Sequence, residues 1–244
     1  MFICSEEFKK KIIIILKVMV PILITQVAIM SMNFFDTVMS GQAGTNDLAG
    51  VAIGANIWMP IFTGINGLLL ALTPIVAHFR GAGARKDIPI AVFNGIILAI
   101  IVSLVTIVAG YILLPYVLNT MTLTPAVRRI GVWYLAALAA GIVPLFVTNV
   151  LRAFVDTMGY TQMTMRLFAM TLPINVFFNW VFIFGKLGMP TLGGIGAGVG
   201  SALTCWLLAL AFVVLIHKIP ELRSYHIFAW YGISWTRIKE HLTL

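Results

Sequence analysis

The sequence predicts an all-α integral membrane protein built from a bundle of six transmembrane helices. Of its 244 residues, 61% are hydrophobic and only 10% are charged, with a mean hydropathy of +1.03. Soluble domains carry about 25% charged residues. The apolar residues also form six segments, each at least as long as the roughly 20 residues that a span requires. Because the basic residues lie at segment ends, the net charge of +8 indicates membrane topology and not a nucleic-acid partner.

Six apolar segments predict the spans, in chain order, at about 12–39, 48–77, 88–118, 129–150, 165–185 and 194–217. The first resembles a signal peptide because Lys9–Lys11 precede it. Its apolar run exceeds the usual 7–15 residues and no small-residue cleavage pattern follows, so we expect a retained helix. Prolines lie inside several runs, which membrane helices tolerate where neighbours satisfy the freed backbone groups. They are Pro21, Pro60, Pro74, Pro144 and Pro173.

The connections between spans alternate in charge, which predicts the orientation in the membrane. Thirteen of the sixteen Lys and Arg residues fall on one side, and only Arg128, Arg129 and Lys186 fall on the other. The positive-inside rule therefore predicts a multi-pass protein of the cell membrane with both termini cytoplasmic. Residues 1–217 are expected to form a six-helix lobe. The mixed polar and aromatic residues 218–244 predict an amphipathic linker along the cytoplasmic interface.

Residues able to do chemistry do not assemble into a recognisable catalytic or metal centre. The two cysteines, Cys4 and Cys205, are too differently placed to pair, and no Cys/His cluster has metal-ligand spacing. Arg152 and Asp156 are four residues apart, which favours an ion pair on one helix face. The sequence therefore predicts a protein that is not an enzyme and has no organic cofactor.

Asp36 is the exception within the spans. It is the only formal charge between Lys17 and Asp47. A charge at the bilayer centre costs roughly 2.5–3.5 kcal/mol on insertion scales, and such residues usually bind an ion, a proton or a charged substrate. The alternative is that Asp36 lies near the outer surface and is solvated.

Polar side chains in three spans are candidates to line a cavity with Asp36. Helical spacing places several of them on roughly one stripe of the first span, and two amides lie one turn apart in the fifth. Each alone is also explained by hydrogen bonding between packed helices. The candidates are Gln26, Asn33, Thr37 and Ser40 in the first span, Asn56 and Asn66 in the second, and Asn175 and Asn179 in the fifth.

A glycine-rich run, Gly193–Ser201, opens the sixth span. A nucleotide-binding interpretation fails because the GxGxxG spacing is not met and no strand precedes the run. The pairs Gly194/Gly198 and Gly196/Gly200 instead have the small-xxx-small spacing that lets membrane helices approach closely. We expect these four glycines to serve helix packing.

Several motifs along the chain resemble, in order and spacing, those of one known family. They are Phe35–Gly41 with Leu48–Ala52, Thr73-Pro74 with Gly81–Gly83, Leu151–Ala153 with Gly159–Thr161, and Pro173–Asn175, Asn179 and Gly194–Gly198. This pattern, which covers essentially the whole chain, resembles the MATE family (multidrug and toxic compound extrusion) in its NorM-like branch.

The resemblance implies a secondary transporter of twelve helices in two six-helix lobes. Members exchange small organic cations for inward-moving Na⁺ or H⁺. It implicates Asp36 in ion coupling, including a contact to Na⁺, or in drug binding, and it places Asn175, Asn179 and Thr204 in the cavity of the same lobe. Some members carry an acid where this chain has Asn179, so a second titratable group is not expected in this lobe.

Family members are roughly twice as long as this chain, so the resemblance implies an N-terminal half. We expect its partners to be the lipid bilayer and either a missing C-terminal half or a second subunit. Two alternatives remain. One is a lipid-linked oligosaccharide flippase of the wider superfamily, for which a cationic cavity would be expected, and the other is a fragment inactive in transport.

Overall fold

A computed structural model of the protein describes residues 2–231, and every regular element in that range is an α-helix. The chain order is α1 (Phe2–Ala43), α2 (Thr45–Leu70), α3 (Leu72–Gly81), α4 (Asp87–Asn119), α5 (Pro125–Ala139), α6 (Ile142–Thr157), α7 (Thr161–Phe184), α8 (Gly194–Lys218) and α9 (Pro220–Arg223).

Five stretches of helix are long and apolar enough to cross a membrane, and a sixth is bent. The bent span joins α5 to α6 at an angle of 47°. The predicted all-α, six-span fold is therefore confirmed when the bent pair counts as one span. Two spans differ from the prediction. The second is divided into α2 and α3 at Ala71, and the fourth extends from Pro125 to Thr157 instead of covering only 129–150.

The bend between α5 and α6 is stabilised by α8. A Cβ on Gly141 would lie 2.8 Å from the Cα of Ala202, so glycine permits close backbone contact there. A break in a membrane helix frees carbonyl groups that need new donors. The indole Nε1 of Trp206 on α8 supplies one, donating to the carbonyl oxygen of Ala140 at 3.0 Å. The kink is thus built into the packing.

The connections between spans meet at two ends of the bundle. At one end Arg80 donates a hydrogen bond to the carbonyl of Thr157, and the hydroxyl of Tyr160 donates to Oε2 of Glu221 at 2.7 Å. At the other end the backbone N–H of Gly194 donates to Oδ1 of Asp47 at 2.7 Å. The first end carries the basic connections, because successive spans alternate in direction and every second connection therefore lies at the same end. Which end faces the cytoplasm remains a prediction from charge.

The main apolar core surrounds α6. Phe146, Val150 and Phe154 are fully buried there, against residues of α3, α4 and α8. Leu222 and Ile227, which follow α8, also belong to this core. Residues 218–231 therefore fold back onto the bundle through the short α9 and do not form one long amphipathic helix. The rest of the predicted linker, 232–244, lies outside the described residues.

The glycines of α8 lie where neighbouring helices approach most closely. A Cβ on Gly196 would lie 2.6 Å from the carbonyl oxygen of Phe182 on α7, and one on Gly198 would lie 2.6 Å from that of Tyr134 on α5. Gly194 faces α2 and Gly200 faces α7 in the same way. Real Cβ atoms do not approach a backbone oxygen so closely, so α8 would have to move away from both neighbours if these residues had side chains.

We expect Gly196→Ala to destabilise the protein by about 1–3 kcal/mol, the usual cost of overpacking. Gly110→Ala on α4 is the matched control, because a Cβ there meets nothing within 4 Å. Removing a helical glycine should leave stability unchanged or raise it slightly. Thermal unfolding in detergent measures both. Equal melting temperatures for the two variants would contradict the packing described for α8.

Candidate functional site

The carboxylate of Asp36 is enclosed between α1, α7 and α8, with only 7% of the residue exposed. Its Oδ1 accepts a hydrogen bond from Nδ2 of Asn179 at 2.5 Å, and its Oδ2 accepts one from Oγ of Ser201 at 2.8 Å. The alternative of a solvated carboxylate at the protein surface is therefore wrong. Each helix contributes one of the three groups, so the site exists only where the three helices pack together.

Helical geometry brings the donors to this point. Asn175 and Asn179 lie one turn apart on α7, and Nδ2 of Asn179 is 3.4 Å from Oδ1 of Asn175. Asn175 also interacts with the Asp36 carboxylate. A Cβ on Gly200 would lie 2.5 Å from Oδ1 of Asn179, so glycine at this position of α8 leaves room for the amide. The fit of the amide between α7 and α8 fixes where its donor nitrogen points.

The Asp36 carboxylate has no positively charged partner among residues 2–231. Its hydrogen-bond donors are a neutral amide and a hydroxyl. An isolated buried charge costs several kcal/mol even after relaxation. By contrast, Asp156 is paired with Arg152 at 3.4 Å. A bound cation or proton would neutralise the carboxylate.

One acceptor oxygen in the site has no hydrogen-bond donor. Oδ1 of Asn179 is buried and accepts no hydrogen bond from the described residues. Together with the Asp36 carboxylate and the Ser201 hydroxyl it makes a set of oxygen atoms, the ligand type that hard cations prefer. No cluster of three or more His, Cys, Asp or Glu side chains occurs in the described part of the chain. Oxygen atoms of this kind are able to hold a hard cation or a proton.

The structure brings three of the four main candidates together: Asp36, Asn175 and Asn179. The fourth, Thr204, is buried on α8, but its hydroxyl donates to the carbonyl of Gly200 at 2.7 Å. No hydrogen bond joins Thr204 to the carboxylate, so its role in the site stays a prediction.

The weaker candidates lie away from the carboxylate. The predicted stripe on α1 divides into two faces, since Asp36 and Ser40 are buried against the bundle while Gln26, Asn33 and Thr37 are exposed. Asp36 lies at the edge of the stripe. Although Asn33 and Thr37 are near it in sequence, α7 covers Asp36 and leaves those two residues exposed. A cavity-lining role for those three stays a prediction.

On α2, Asn56 is exposed, whereas Asn66 is half-buried. Oδ1 of Asn66 accepts a hydrogen bond from Nδ2 of Asn149 at 3.0 Å, which joins α2 to α6. This contact is of the kind by which amides hold membrane helices together. Neither residue contacts Asp36, and their cavity-lining role also stays a prediction.

Sequence reasoning gave no role to Ser201 in the site, nor to Asp47 at the start of α8. Ser201 supplies one of the two direct donors, and its only signal was its position within the glycine-rich run. Asp47 holds the start of α8 through the N–H of Gly194, and a side chain on Gly193 would collide with the same carboxylate. An acceptor at a helix N-terminus stabilises it. This contact joins residues 147 positions apart, so no local pattern could indicate it.

Comparison with known proteins gives the family. The sequence profile of the MatE family matches residues 21–181, well over half of the chain. The chain belongs to the MatE family. The resemblance seen in its motifs is thereby confirmed.

The MatE chain is similar to multidrug resistance proteins over nearly its whole length. It is 48% identical over 241 residues to a probable multidrug resistance protein NorM of Halalkalibacterium halodurans, covering 98% of this chain and 53% of the relative. The same comparison with the probable NorM of Bacillus subtilis gives 42% identity and equal coverage. The chain thus spans about half the length of the curated relatives it matches.

The MatE fold is also found in solved structures. A multidrug resistance MATE family transporter of the MOP superfamily in its outward-facing conformation superimposes with a TM-score of 0.81 at 19% identity, covering 94% of this chain and 50% of that one. An inward-facing conformation gives 0.78 at 18% identity, with 87% and 48% covered. At this identity the likeness establishes the fold alone.

The hydrogen bonds of the site predict opposite effects of two isosteric substitutions. Asp36→Asn should leave the melting temperature unchanged or raise it, because it removes an uncompensated buried charge while keeping an acceptor for Asn179. Asn179→Leu should lower stability by about 1–3 kcal/mol, because it leaves Oδ1 of Asp36 without a donor. Thermal unfolding in detergent tests the pair. A larger loss for Asp36→Asn than for Asn179→Leu would contradict this electrostatic description.

Proposed function

We propose that this MatE chain forms one lobe of a secondary antiporter that exports small organic cations in exchange for Na⁺ or H⁺. Asp36 is the group that binds both in turn. The observation that carries the proposal is a buried carboxylate in a membrane span, held by neutral donors and without a cationic partner among the described residues. Intramembrane carboxylates of this kind mark ion and substrate pathways.

Exchange follows from competition for one negative charge. An ionised Asp36 attracts a lipophilic cation strongly, because charge interactions are larger in a low-dielectric cavity than in water. When a proton or Na⁺ occupies the carboxylate, that attraction is lost and the organic cation is released. Asn179 and Ser201 keep the carboxylate in place between the two states. The same site therefore accepts either cargo, but not both at once.

Movement of whole lobes would give the site access to each side of the membrane in turn. The described helices resemble half of a transporter in both its outward-facing and its inward-facing conformation, with TM-scores of 0.81 and 0.78. This supports a lobe that moves largely as one body around Asp36, while the contacts of α1, α7 and α8 are kept.

The direct test is Asp36→Asn in a full-length transporter that carries this chain as its N-terminal half. Ion-driven efflux of a cationic dye should fall to the background of cells without the transporter, because a neutral amide lacks the negative charge that attracts the organic cation. Fluorescence of the dye in energised cells measures efflux, and varying Na⁺ and pH separately identifies the coupling ion.

Asp47→Asn is the matched control. It makes the same acid-to-amide change at the end of the bundle opposite the basic connections and keeps an acceptor for Gly194, so efflux should persist. Unchanged efflux and ion dependence in Asp36→Asn would rule out the proposed role of Asp36.

We further propose that transport requires a second six-helix body. The 244 residues expressed alone should give no ion-driven flux, whereas co-expression with the C-terminal half of the Halalkalibacterium halodurans relative should restore it. Reconstituted vesicles loaded with a cationic dye measure both. Ion-driven flux from this chain alone would contradict the proposed need for a C-terminal half.

A further inference from the structure

A basic pocket lies where α8 ends, at the far end of the helix from the residues that contact Asp36. Two adjoining cavities of about 270 Å³ each share His217, Arg223 and His226 in their linings, and Lys218 lines one of them. No acidic side chain among the described residues lines either cavity. The pocket belongs to the basic end of the bundle and takes no part in the site around Asp36.

The positive charge of this pocket is not paired with any carboxylate that the structure describes. Lys218 and Arg223 form no ion pair with a described side chain. Glu221 is the one acid between residues 218 and 231, and its Oε2 accepts a hydrogen bond from the hydroxyl of Tyr160 at 2.7 Å. That contact ties the acid to the connection between α6 and α7. The pocket is therefore a concave surface with two permanent cations and two imidazoles.

His217 is held in one orientation. Its Nδ1 lies 2.8 Å from the carbonyl oxygen of Val213, and its ring stacks on Phe228 with a centroid distance of 5.3 Å and an interplanar angle of 8°. With Nδ1 engaged by its own helix, the second ring nitrogen, Nε2, is left for a ligand. A ring held in one orientation loses less entropy when a ligand binds beside it.

An exposed apolar stripe runs along α8 and ends at the pocket. Its residues are spaced by four, three, four and three positions, which places them on one helix face. They are Leu203, Leu207, Leu210 and Val214, followed by His217. The aromatic residues Phe228 and Trp230 are exposed beside the pocket. Aromatic side chains gather at the membrane–water interface, so the pocket has the features of the headgroup level, with the stripe extending into the apolar layer.

We propose that this pocket binds the phosphate of an anionic phospholipid, with an acyl chain along the apolar stripe of α8. Arg223 and Lys218 provide charge-assisted hydrogen bonds to the phosphate oxygens. The fixed ring of His217 forms part of the wall of the pocket. A free phosphate ion would use the same charges, but it would leave the stripe and the interfacial aromatics without a role. The lipid is therefore the ligand that accounts for both halves of the surface.

The test uses the purified protein at its full natural length in detergent. Native mass spectrometry with added phosphatidylglycerol, phosphatidylcholine or inorganic phosphate gives an apparent affinity for each. Phosphatidylglycerol should bind and phosphatidylcholine should bind far more weakly. The double variant Lys218→Gln/Arg223→Gln should weaken phosphatidylglycerol binding by about thirtyfold, since each basic side chain near an anionic lipid contributes roughly fivefold.

The matched control is Arg85→Gln/Lys86→Gln. It removes the same charge from two exposed residues at the same end of the bundle, in the connection between α3 and α4. Phosphatidylglycerol affinity should stay within about twofold of the unsubstituted protein. An equal loss in both double variants would reduce the effect to net charge and overturn the proposal. Equal affinity for the two lipids, or saturable binding of inorganic phosphate alone, would also overturn it.

Discussion

The close approach of α7 and α8 is the constraint on which the rest of this lobe depends. Gly196 and Gly200 let the backbone and amide of α7 lie where side chains would otherwise be, at distances of about 2.5 Å from a hypothetical Cβ. This approach places Asn179 and Ser201 on either side of one carboxylate. Helices in a membrane gain little from hydrophobic burial against each other, so close packing and interhelical hydrogen bonds hold them together. Helix packing and the proposed cation site thus rest on the same contact.

The position of Asp36 explains why a costly charge is kept. Hydrophobic residues would pack α1 against α7 with less desolvation, since buried charges without partners are destabilising. The chain instead surrounds the carboxylate with neutral groups that hold it without neutralising it. Arg152 and Asp156 show the contrasting solution, because there the acid has a permanent cation beside it. The first arrangement leaves a buried carboxylate without a cation beside it, as the proposed exchange requires. The second pairs an acid with a cation near the end of α6.

The six spans could be predicted from sequence, because bilayer thickness fixes the length of apolar segment that a span requires. Three residues of the site, Asp36, Asn175 and Asn179, could also be predicted, because they are polar residues in apolar surroundings. The bend between α5 and α6 could not, because it depends on Trp206 and Ala202, far away in the chain. The division of the α1 stripe also escaped prediction. Helical spacing alone does not say which edge of a stripe a neighbouring helix covers, and α7 covers only the edge that carries Asp36.

The central claim is that one carboxylate is shared by an organic cation and a coupling ion. Equilibrium binding of radiolabelled tetraphenylphosphonium to the purified full-length protein tests it most directly. The account predicts one saturable site that Na⁺ or protons displace competitively, and no saturable site in Asp36→Asn. Binding that persists in Asp36→Asn, or that neither Na⁺ nor protons displace, would contradict it.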